Sequence, residues 1–287
     1  MTRLKPFRLH HPTSTAEASS LLHELGPDAV PYCGGTELLL VAKLGFTAFT
    51  DLVDLKRIDE LSGITAADGL RIGAATTHRE IEHSETVLDG WPTLASLERH
   101  VGNIRVRNVG TIGGNLAFAD PHSDPATYLT AVGGSVTISG PGSARSVPIE
   151  EFVIAPYMTT LGQGELLTAV HIPQMLPGDV VVHRKMSFSE RPAITVSVRV
   201  CVADGTLTRV RIAVGSVGPR VERALGAEQQ LDRASLDGAI TATVRAAAET
   251  AAAEIEPSAD ANGSAEYKRQ LVRVLTQRCL SEALSRP

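Results

Sequence analysis

The fold is decided by two glycine-bearing stretches, Cys33-Gly34-Gly35-Thr36-Glu37 and Thr111-Ile112-Gly113-Gly114-Asn115. We call residues 33–37 the first glycine segment and residues 111–115 the second glycine segment. Each follows an apolar or β-prone stretch. Adjacent glycines let the backbone approach a ligand closely and turn several N–H groups toward it, which suits a diphosphate. One such segment is often only a tight turn, but two of them predict a large phosphate-containing cofactor held from two sides.

The first glycine segment also stands where a helix is predicted to begin. Free N–H groups and the positive end of the helix dipole at such a position favour an anion, and the same interpretation applies to the second segment. Neither segment matches G-x-G-x-x-G or G-x-x-x-x-G-K-[ST], which disfavours a Rossmann nucleotide site and an ATPase.

Residues 1–56 are predicted to form a small α/β unit: helix, strand, glycine segment, helix and strand. Ser14 and Glu17 have capping-box spacing before the first helix, and Gly26 is a stop signal after it. The glycine segment then lies at a strand-to-helix junction, the usual place for a phosphate. A second α/β unit is predicted over residues 57–176, with another capping box at Thr77 and Glu80.

Residues 173–179 contain two prolines and a glycine and indicate a domain boundary. Beyond them, three stretches alternate well enough for an antiparallel meander, and two stretches are Ala-rich and helical. The strands are predicted at 183–188, 194–202 and 207–217, and the helices at 234–253 and 265–284. Strands followed by helices predict a separate α+β domain.

The composition is that of a soluble globular protein. Of the 287 residues, 43% are hydrophobic and 21% charged, and the net charge of −5 argues against general nucleic-acid binding. Cys33, Cys201 and Cys279 are too far apart for a metal site or a disulfide framework, so a reducing, cytoplasmic setting is expected. The apolar run 38–44 is too short to span a bilayer, and no signal-peptide core is visible at residues 1–12.

One polar cluster, Asp120-Pro121-His122-Ser123-Asp124, offers two interpretations. It has the residue types of a metal site, although such clusters are more often plain turns. We favour the alternative that Ser123 and Asp124 hydrogen-bond a ribityl or ribose hydroxyl of the cofactor. No metal site is predicted, and no acid–base pair stands out.

In their order, these motifs resemble the FAD-binding medium subunit of the carbon monoxide dehydrogenase and xanthine dehydrogenase family, the flavin modules of molybdenum hydroxylases. Residues 33–39, CGGTELL, are similar to that family's first FAD loop, usually A-G-G-T-[DE]-L-L. The most specific match is RNVGTIGGN at 107–115, continuing through residues 119–124. Stretches 72–77, 164–173 and 264–269 complete a resemblance that runs almost end to end.

The resemblance implies an α+β fold. A two-subdomain α/β FAD-binding domain of the vanillyl-alcohol-oxidase (PCMH) type would cover residues 1–176, with subdomains of about 1–56 and 57–176. A C-terminal domain of three-stranded antiparallel sheet plus helices would cover residues 177–287.

The resemblance also implies which residues bind FAD. The first glycine segment and its flanks would wrap the diphosphate with backbone N–H groups, and the second would hold it from the other subdomain. Asp124 would contact a sugar or ribityl hydroxyl, while Leu167 and Lys185 would approach the flavin ring. The implied set is Tyr32, Cys33, Gly34, Gly35, Thr36, Glu37, Leu38, Thr111, Ile112, Gly113, Gly114, Asn115, Ser123, Asp124, Leu167 and Lys185. The sequence departs from the family at 187–194, where Arg191 and Ile194 are the candidates for covering the isoalloxazine ring.

Function follows from the same resemblance. A molybdenum-cofactor large subunit would oxidise the substrate, and a small subunit with two iron–sulfur clusters would pass the electrons to this FAD and on to a final acceptor. Two alternatives remain at this point. A self-sufficient FAD-dependent oxidoreductase should carry an acid–base cluster for its substrate, and an assembly subunit that has lost FAD should not keep both glycine segments intact.

Overall fold

The structure, a computed structural model, describes residues 4–188 and 191–285. It divides into two compact units. The first comprises the residues up to Ala119 together with Ser135–Ile172, and the second comprises Asp120–Gly134 together with the residues from Pro173 onward. The chain therefore leaves the first unit at Asp120, contributes one short segment to the second, and returns.

Strands and helices alternate over residues 8–54, whereas five helices follow one another between residues 78 and 118. The strands are β1 (Arg8–His10), β2 (Ala29–Tyr32), β3 (Asp51–Asp54), β4 (Ile64–Ala67), β5 (Gly69–Gly73), β6 (Ser135–Gly140), β7 (Ser143–Pro148), β8 (Val153–Ala155), β9 (Met158–Thr159), β10 (Leu166–Pro173), β11 (Asp179–Ser187), β12 (Pro192–Ala203), β13 (Thr206–Gly215) and β14 (Glu222–Arg223). The helices are α1 (Thr15–Leu25), α2 (Leu38–Lys43), α3 (His78–His83), α4 (Glu85–Gly90), α5 (Pro92–Glu98), α6 (Ile104–Val109), α7 (Ile112–Phe118), α8 (Asp124–Val132), α9 (Ile149–Phe152), α10 (Leu225–Leu231), α11 (Ile240–Glu254) and α12 (Ala265–Ser285), with a 3₁₀ turn at Asp59–Leu61.

The described residues of the first unit contain three sheets. One has the order β1-β3-β2 with parallel pairing, the second has the order β4-β5-β10-β6-β7, and the third is the antiparallel pair β8-β9. Every residue of the central strand β3 is buried, as expected for the middle of a parallel sheet. Helix α1 supplies Ala18 and Leu22 to the same hydrophobic core as Val53 of β3.

Side-chain caps begin the helices where the sequence predicts them. The Ser14 hydroxyl accepts from the Glu17 N–H at the start of α1, and at α3 Thr77 and Glu80 form both halves of a capping box. Strands β6 and β7 form a hairpin that turns at residues 140–142.

One local prediction is wrong. The residues just before the second glycine segment form helix α6 rather than a β-prone stretch. The Asn103 side chain causes this, because its Oδ1 accepts from the N–H groups of Arg105 and Val106 at 2.9 and 3.2 Å and thereby caps the helix.

The second unit is built on an antiparallel sheet of order β11-β12-β13-β14. Side chains of β12 alternate between two faces. Ile194, Val196 and Val198 belong to a hydrophobic core with residues of α10, α11 and α12. On the other face, Thr195 hydrogen-bonds Thr127 of α8, and Arg199 donates to the carbonyl of Val132.

The predicted meander and its two following helices are thus confirmed, with two additions and one shift. Strand β14 and helix α10 were not predicted, since each is too short to produce a periodic pattern. The first Ala-rich helix begins at Ile240 rather than at residue 234. Within the described residues, no helix combines the length and the apolar character needed to cross a membrane.

Candidate functional site

The first glycine segment connects the carboxyl end of β2 to the start of α2. Its Gly35 and Thr36 N–H groups make no hydrogen bond with any residue in the described part of the chain. Lys56 adds a positive charge nearby, with its Nζ 4.3 Å from the centre of the Tyr32 ring. These features suit an anionic ligand. Sequence patterns did not indicate Lys56, because it lies after β3 and outside any motif.

The second glycine segment is the first turn of α7, and it uses its own N–H groups internally. The Ile112 N–H donates to Thr76 O at 3.1 Å, the Gly113 N–H to Ala74 O at 2.9 Å, and the Gly114 N–H to the Thr111 hydroxyl at 3.1 Å. This segment therefore offers a ligand its surface and side chains rather than a row of free N–H donors.

The two glycines of this turn serve different purposes. A Cβ at Gly113 would lie 2.5 Å from the Cβ of Ala74, so this glycine is required by packing inside the unit. Gly114 is exposed, and a Cβ there would come within 4 Å of the Thr111 hydroxyl alone, at 3.0 Å. The space beside Gly114 is therefore open to a ligand that approaches the backbone closely.

The fold brings the two glycine segments together. A Cβ at Gly34 would overlap the carbonyl oxygen of Val109 and would lie 2.7 Å from the Cα of Gly110. The Cys33 thiol hydrogen-bonds the Thr111 side chain. Burial raises the pKa of this thiol above its ordinary value, while the bond to Thr111 opposes the rise. The first glycine segment and the residues that lead into the second thus pack against each other within the first unit.

A buried histidine–carboxylate pair lies next to the residues that lead into the second glycine segment. His78 Nδ1 lies 2.6 Å from Glu98 Oε2, and both side chains are almost completely buried. The backbone N–H of His78 donates to Gly110 O at 3.0 Å, and Thr77 forms a β-bridge with Thr111. No sequence pattern indicated this pair, since nothing in the sequence links His78 to Glu98.

Leu167 lies in the same unit, in β10. It pairs with Ile138 at a β-bulge, and the next residue, Thr168, accepts from the N–H of Ala74, the residue against which Gly113 packs. Bulges often redirect side chains beside binding sites.

The remaining predicted residues lie together in the second unit. Ser123 caps α8 by accepting from the Ala126 N–H at 3.2 Å. The buried Asp124 follows it, and Lys185 Nζ donates to Asp124 Oδ2 at 2.6 Å. His183 Nε2 lies 4.0 Å from the other Asp124 oxygen. The alternation of β11 puts His183 and Lys185 on one face, which is the signal that could have identified His183.

The two residues predicted to cover the isoalloxazine ring have different positions. Arg191 is half-exposed and pairs with Asp120 at 3.0 Å. Ile194 is completely buried in the hydrophobic core of the second unit, so it is wrong as a ring-covering residue. Ser189 and Glu190, which belong to the same divergent stretch, lie outside the described residues.

The cluster 120–124 has the hydrogen bonds of a turn. His122 Nδ1 and the His122 N–H both contact Asp120 Oδ1, at 3.0 and 2.9 Å. In the chain as described, no three His, Cys, Asp or Glu side chains are grouped so as to hold a metal ion.

Comparison with known proteins finds two family models on this chain. Residues 5–175 match the FAD binding domain in molybdopterin dehydrogenase, and residues 187–283 match the CO dehydrogenase flavoprotein C-terminal domain. The carbon monoxide dehydrogenase medium chain of Hydrogenophaga pseudoflava is 33% identical, with 98% of both chains covered. The nicotine 6-hydroxylase medium subunit of Paenarthrobacter nicotinovorans is 30% identical, with 99% of both covered. A solved structure of carbon monoxide dehydrogenase from Hydrogenophaga pseudoflava superimposes with a TM-score of 0.94 at 32% identity and 99% coverage of both chains.

Proposed function

The chain belongs to the FAD-binding medium subunits of molybdenum-containing dehydrogenases, and we propose that it carries electrons between iron–sulfur clusters of a partner subunit and a final acceptor. The observation that carries this proposal is the joint surface of the two glycine segments. It combines free N–H groups at Gly35 and Thr36 with the uncovered backbone of Gly114. A dinucleotide diphosphate needs both features, because it takes hydrogen bonds and must approach the backbone closely.

Each part of the chain has a distinct share in holding FAD. The first glycine segment, with Tyr32 and Leu38, binds the diphosphate through its N–H groups. Thr111, Gly114 and Asn115 close on the diphosphate from the second segment. Ser123 and Asp124 bind a sugar or ribityl hydroxyl, and Leu167 and Lys185 lie toward the flavin ring. Residues 1–176 form the FAD-binding domain and residues 177–287 the C-terminal domain, a division that the matched ranges 5–175 and 187–283 support.

Bound FAD supplies the redox chemistry, since it exchanges electrons singly or in pairs. The chain's own residues bind and orient it. The charged groups that lie near the proposed contacts are already paired within the protein, as Asp124 is with Lys185 and Asp120 with Arg191. This arrangement favours a subunit that positions a flavin over an enzyme that abstracts a proton from its own substrate.

The molybdenum cofactor and the iron–sulfur clusters belong to a large and a small partner subunit in this proposal. Relatives of nearly equal identity are named for carbon monoxide and for nicotine, which are chemically unlike. Because similar medium chains serve complexes with such different substrates, the choice of substrate is left to another subunit.

Flavin titration of the purified full-length chain tests the cofactor site. We expect FAD to bind with a shifted visible spectrum and quenched flavin fluorescence. FMN and riboflavin, which lack the dinucleotide diphosphate, should bind at least about a hundredfold more weakly, equivalent to ~2.7 kcal/mol. Equal affinity for FAD and riboflavin would contradict a diphosphate site at the glycine segments.

The complex tests electron transfer. When the chain is co-expressed with its partner subunits, a complex carrying a flavin-free variant should still reduce its iron–sulfur clusters with substrate but should fail to reduce a final acceptor. An isolated chain that oxidised a substrate alone would show a self-sufficient oxidoreductase and would contradict the proposal.

A further inference from the structure

We infer that Lys268 is a positioning residue for the cofactor: through Asp260 and His122 it holds residues 120–124, which carry the proposed FAD contacts Ser123 and Asp124. This inference rests on the proposed function. It concerns a chain of charged and ionisable groups within the second unit, formed by Lys268, Asp260, His122, Asp120 and Arg191. None of these is among the FAD contacts proposed above.

Lys268 is the buried end of this chain. Its side chain, in the first turns of α12, is 1% exposed, and its Nζ lies 2.7 Å from Asp260 Oδ2. Asp260 is its one acidic partner in the described ranges 4–188 and 191–285. Removing a lysine charge from water is costly, and an apolar residue of similar volume is often as stable or more stable at such a site. Stability alone therefore gives little reason for a buried lysine here.

The carboxylate of Asp260 is fixed by a tight turn. Its Oδ1 accepts from the Asn262 N–H at 2.8 Å, and the backbones of Asp260 and Gly263 hydrogen-bond each other in both directions. Ser264 then caps α12 by accepting from the Tyr267 N–H at 3.1 Å. This turn leaves Asp260 Oδ2 between Lys268 and His122.

His122 links the two carboxylates of the chain. Its Nε2 lies 3.6 Å from Asp260 Oδ2, and its Nδ1 lies 3.0 Å from Asp120 Oδ1. Arg191 contacts the other Asp120 oxygen at 3.0 Å. The side chains thus lie in a row from Lys268 to Arg191, with the imidazole between two acids.

Asp120 transmits this constraint to the residues that contact the cofactor. Its carbonyl accepts from the Ser123 N–H at 3.0 Å, and Ser123 in turn caps α8, whose first residue is Asp124. The carbonyl of Pro121 accepts from the Ser216 N–H at 3.2 Å. Because these bonds join Asp120 to Ser123 and Ser123 to the first turn of α8, a displaced Asp120 moves that turn and with it Asp124.

The test uses the full-length chain, FAD as the probe, and Lys268→Met, Lys268→Arg and His122→Gln. Lys5→Met, at an exposed lysine of the first unit, is the matched control. Flavin fluorescence gives the FAD dissociation constant, and thermal unfolding of the FAD-free protein gives Tm.

We expect Lys268→Met to weaken FAD binding about tenfold, equivalent to ~1.4 kcal/mol, with Tm unchanged or higher, because Asp260 is one-third exposed and stays hydrated. Lys268→Arg should restore most of the affinity. His122→Gln removes the imidazole that lies between Asp120 and Asp260 and should weaken FAD binding by a similar factor.

Wild-type affinity in Lys268→Met, or a loss of affinity matched by an equal loss of stability in the FAD-free protein, would overturn the inference. If Lys268→Met does not fold, wild-type FAD affinity in His122→Gln overturns it. A wild-type chain that binds no FAD would overturn the proposed function, and the inference with it.

Discussion

Gly34 lies directly against the backbone of Val109, so close that a methyl group at Gly34 would overlap the Val109 carbonyl oxygen. This contact joins the first glycine segment to the residues that lead into the second. The proposed cofactor surface is therefore formed by packing within the first unit, and its two halves do not require a ligand to bring them together.

Gly34→Ala should consequently lower both stability and FAD affinity. The added methyl meets backbone atoms, which cannot move aside as a flexible side chain can, so we expect a loss of about 1–3 kcal/mol in the free energy of unfolding. Urea unfolding of the FAD-free chain measures this loss. If Gly34→Ala, measured without FAD, unfolds with the same free energy as the wild-type chain, the packing role of Gly34 is contradicted.

Gly114→Ala should separate the two effects. Its methyl group meets only the Thr111 hydroxyl, and alanine is favoured over glycine inside a helix by about 0.5–1 kcal/mol. We expect wild-type or slightly higher stability together with FAD affinity reduced at least about tenfold, because the methyl occupies space that the diphosphate needs. Unchanged affinity by flavin titration would place the cofactor away from this turn.

Much of the fold could be predicted from local sequence. Ser14 and Thr77 act through bonds to residues a few positions away, so their spacing alone carries the information. The α6 helix was missed because Asn103, a single capping side chain, outweighs the β-prone composition that follows it.

The proposed site follows from the sequence where it depends on one segment and not where it depends on several. The glycine motifs predict both halves of the surface. The contact of Gly34 with Val109 and the pair of His78 with Glu98 join residues far apart in sequence, and no local pattern encodes them. Gly113 illustrates the difference: it has the same sequence context as Gly114, yet it packs against Ala74 and is closed to a ligand.

Thr111→Val should remove two interactions of one hydroxyl. The hydroxyl caps α7 by accepting from the Gly114 N–H, and the side chain also bonds the Cys33 thiol. Loss of a threonine cap costs about 1 kcal/mol, and the freed turn should bind FAD more weakly. Thr111→Ser keeps the hydroxyl and should retain FAD affinity in the same titration, whereas equal losses in both variants would argue against the hydroxyl.

Cys33→Ala should retain FAD. The side chain packs against the core that contains Ala18 and Val53, away from the free N–H groups of its segment. We expect a stability loss of about 1 kcal/mol for the smaller side chain and an unchanged FAD dissociation constant.

The same burial makes the Cys33 thiol unreactive. Because burial raises its pKa, the thiol stays protonated at neutral pH and should react slowly with iodoacetamide, faster as pH rises. Mass spectrometry of the labelled chain measures the rate at each pH. Rapid labelling of Cys33 at pH 7 would show an exposed or activated thiol.

Acid should destabilise the segment 120–124, because it protonates the Asp120 carboxylate. Burial alone would raise the pKa of Asp120, but the hydrogen bonds from His122 and the charge of Arg191 lower it below the ordinary value. A carboxyl group with a lowered folded-state pKa contributes stability that is complete above its unfolded pKa of ~3.9 and is lost as pH falls through the folded pKa.

Asp120→Asn should therefore be about 1–2 kcal/mol less stable than wild type at pH 7, and the difference in the free energy of unfolding should narrow below pH ~4. Urea unfolding at pH 7 and pH 3 tests this, with Asp68→Asn at an exposed turn as the control. A difference that stays constant between the two pH values would show that the Asp120 charge does not stabilise the segment.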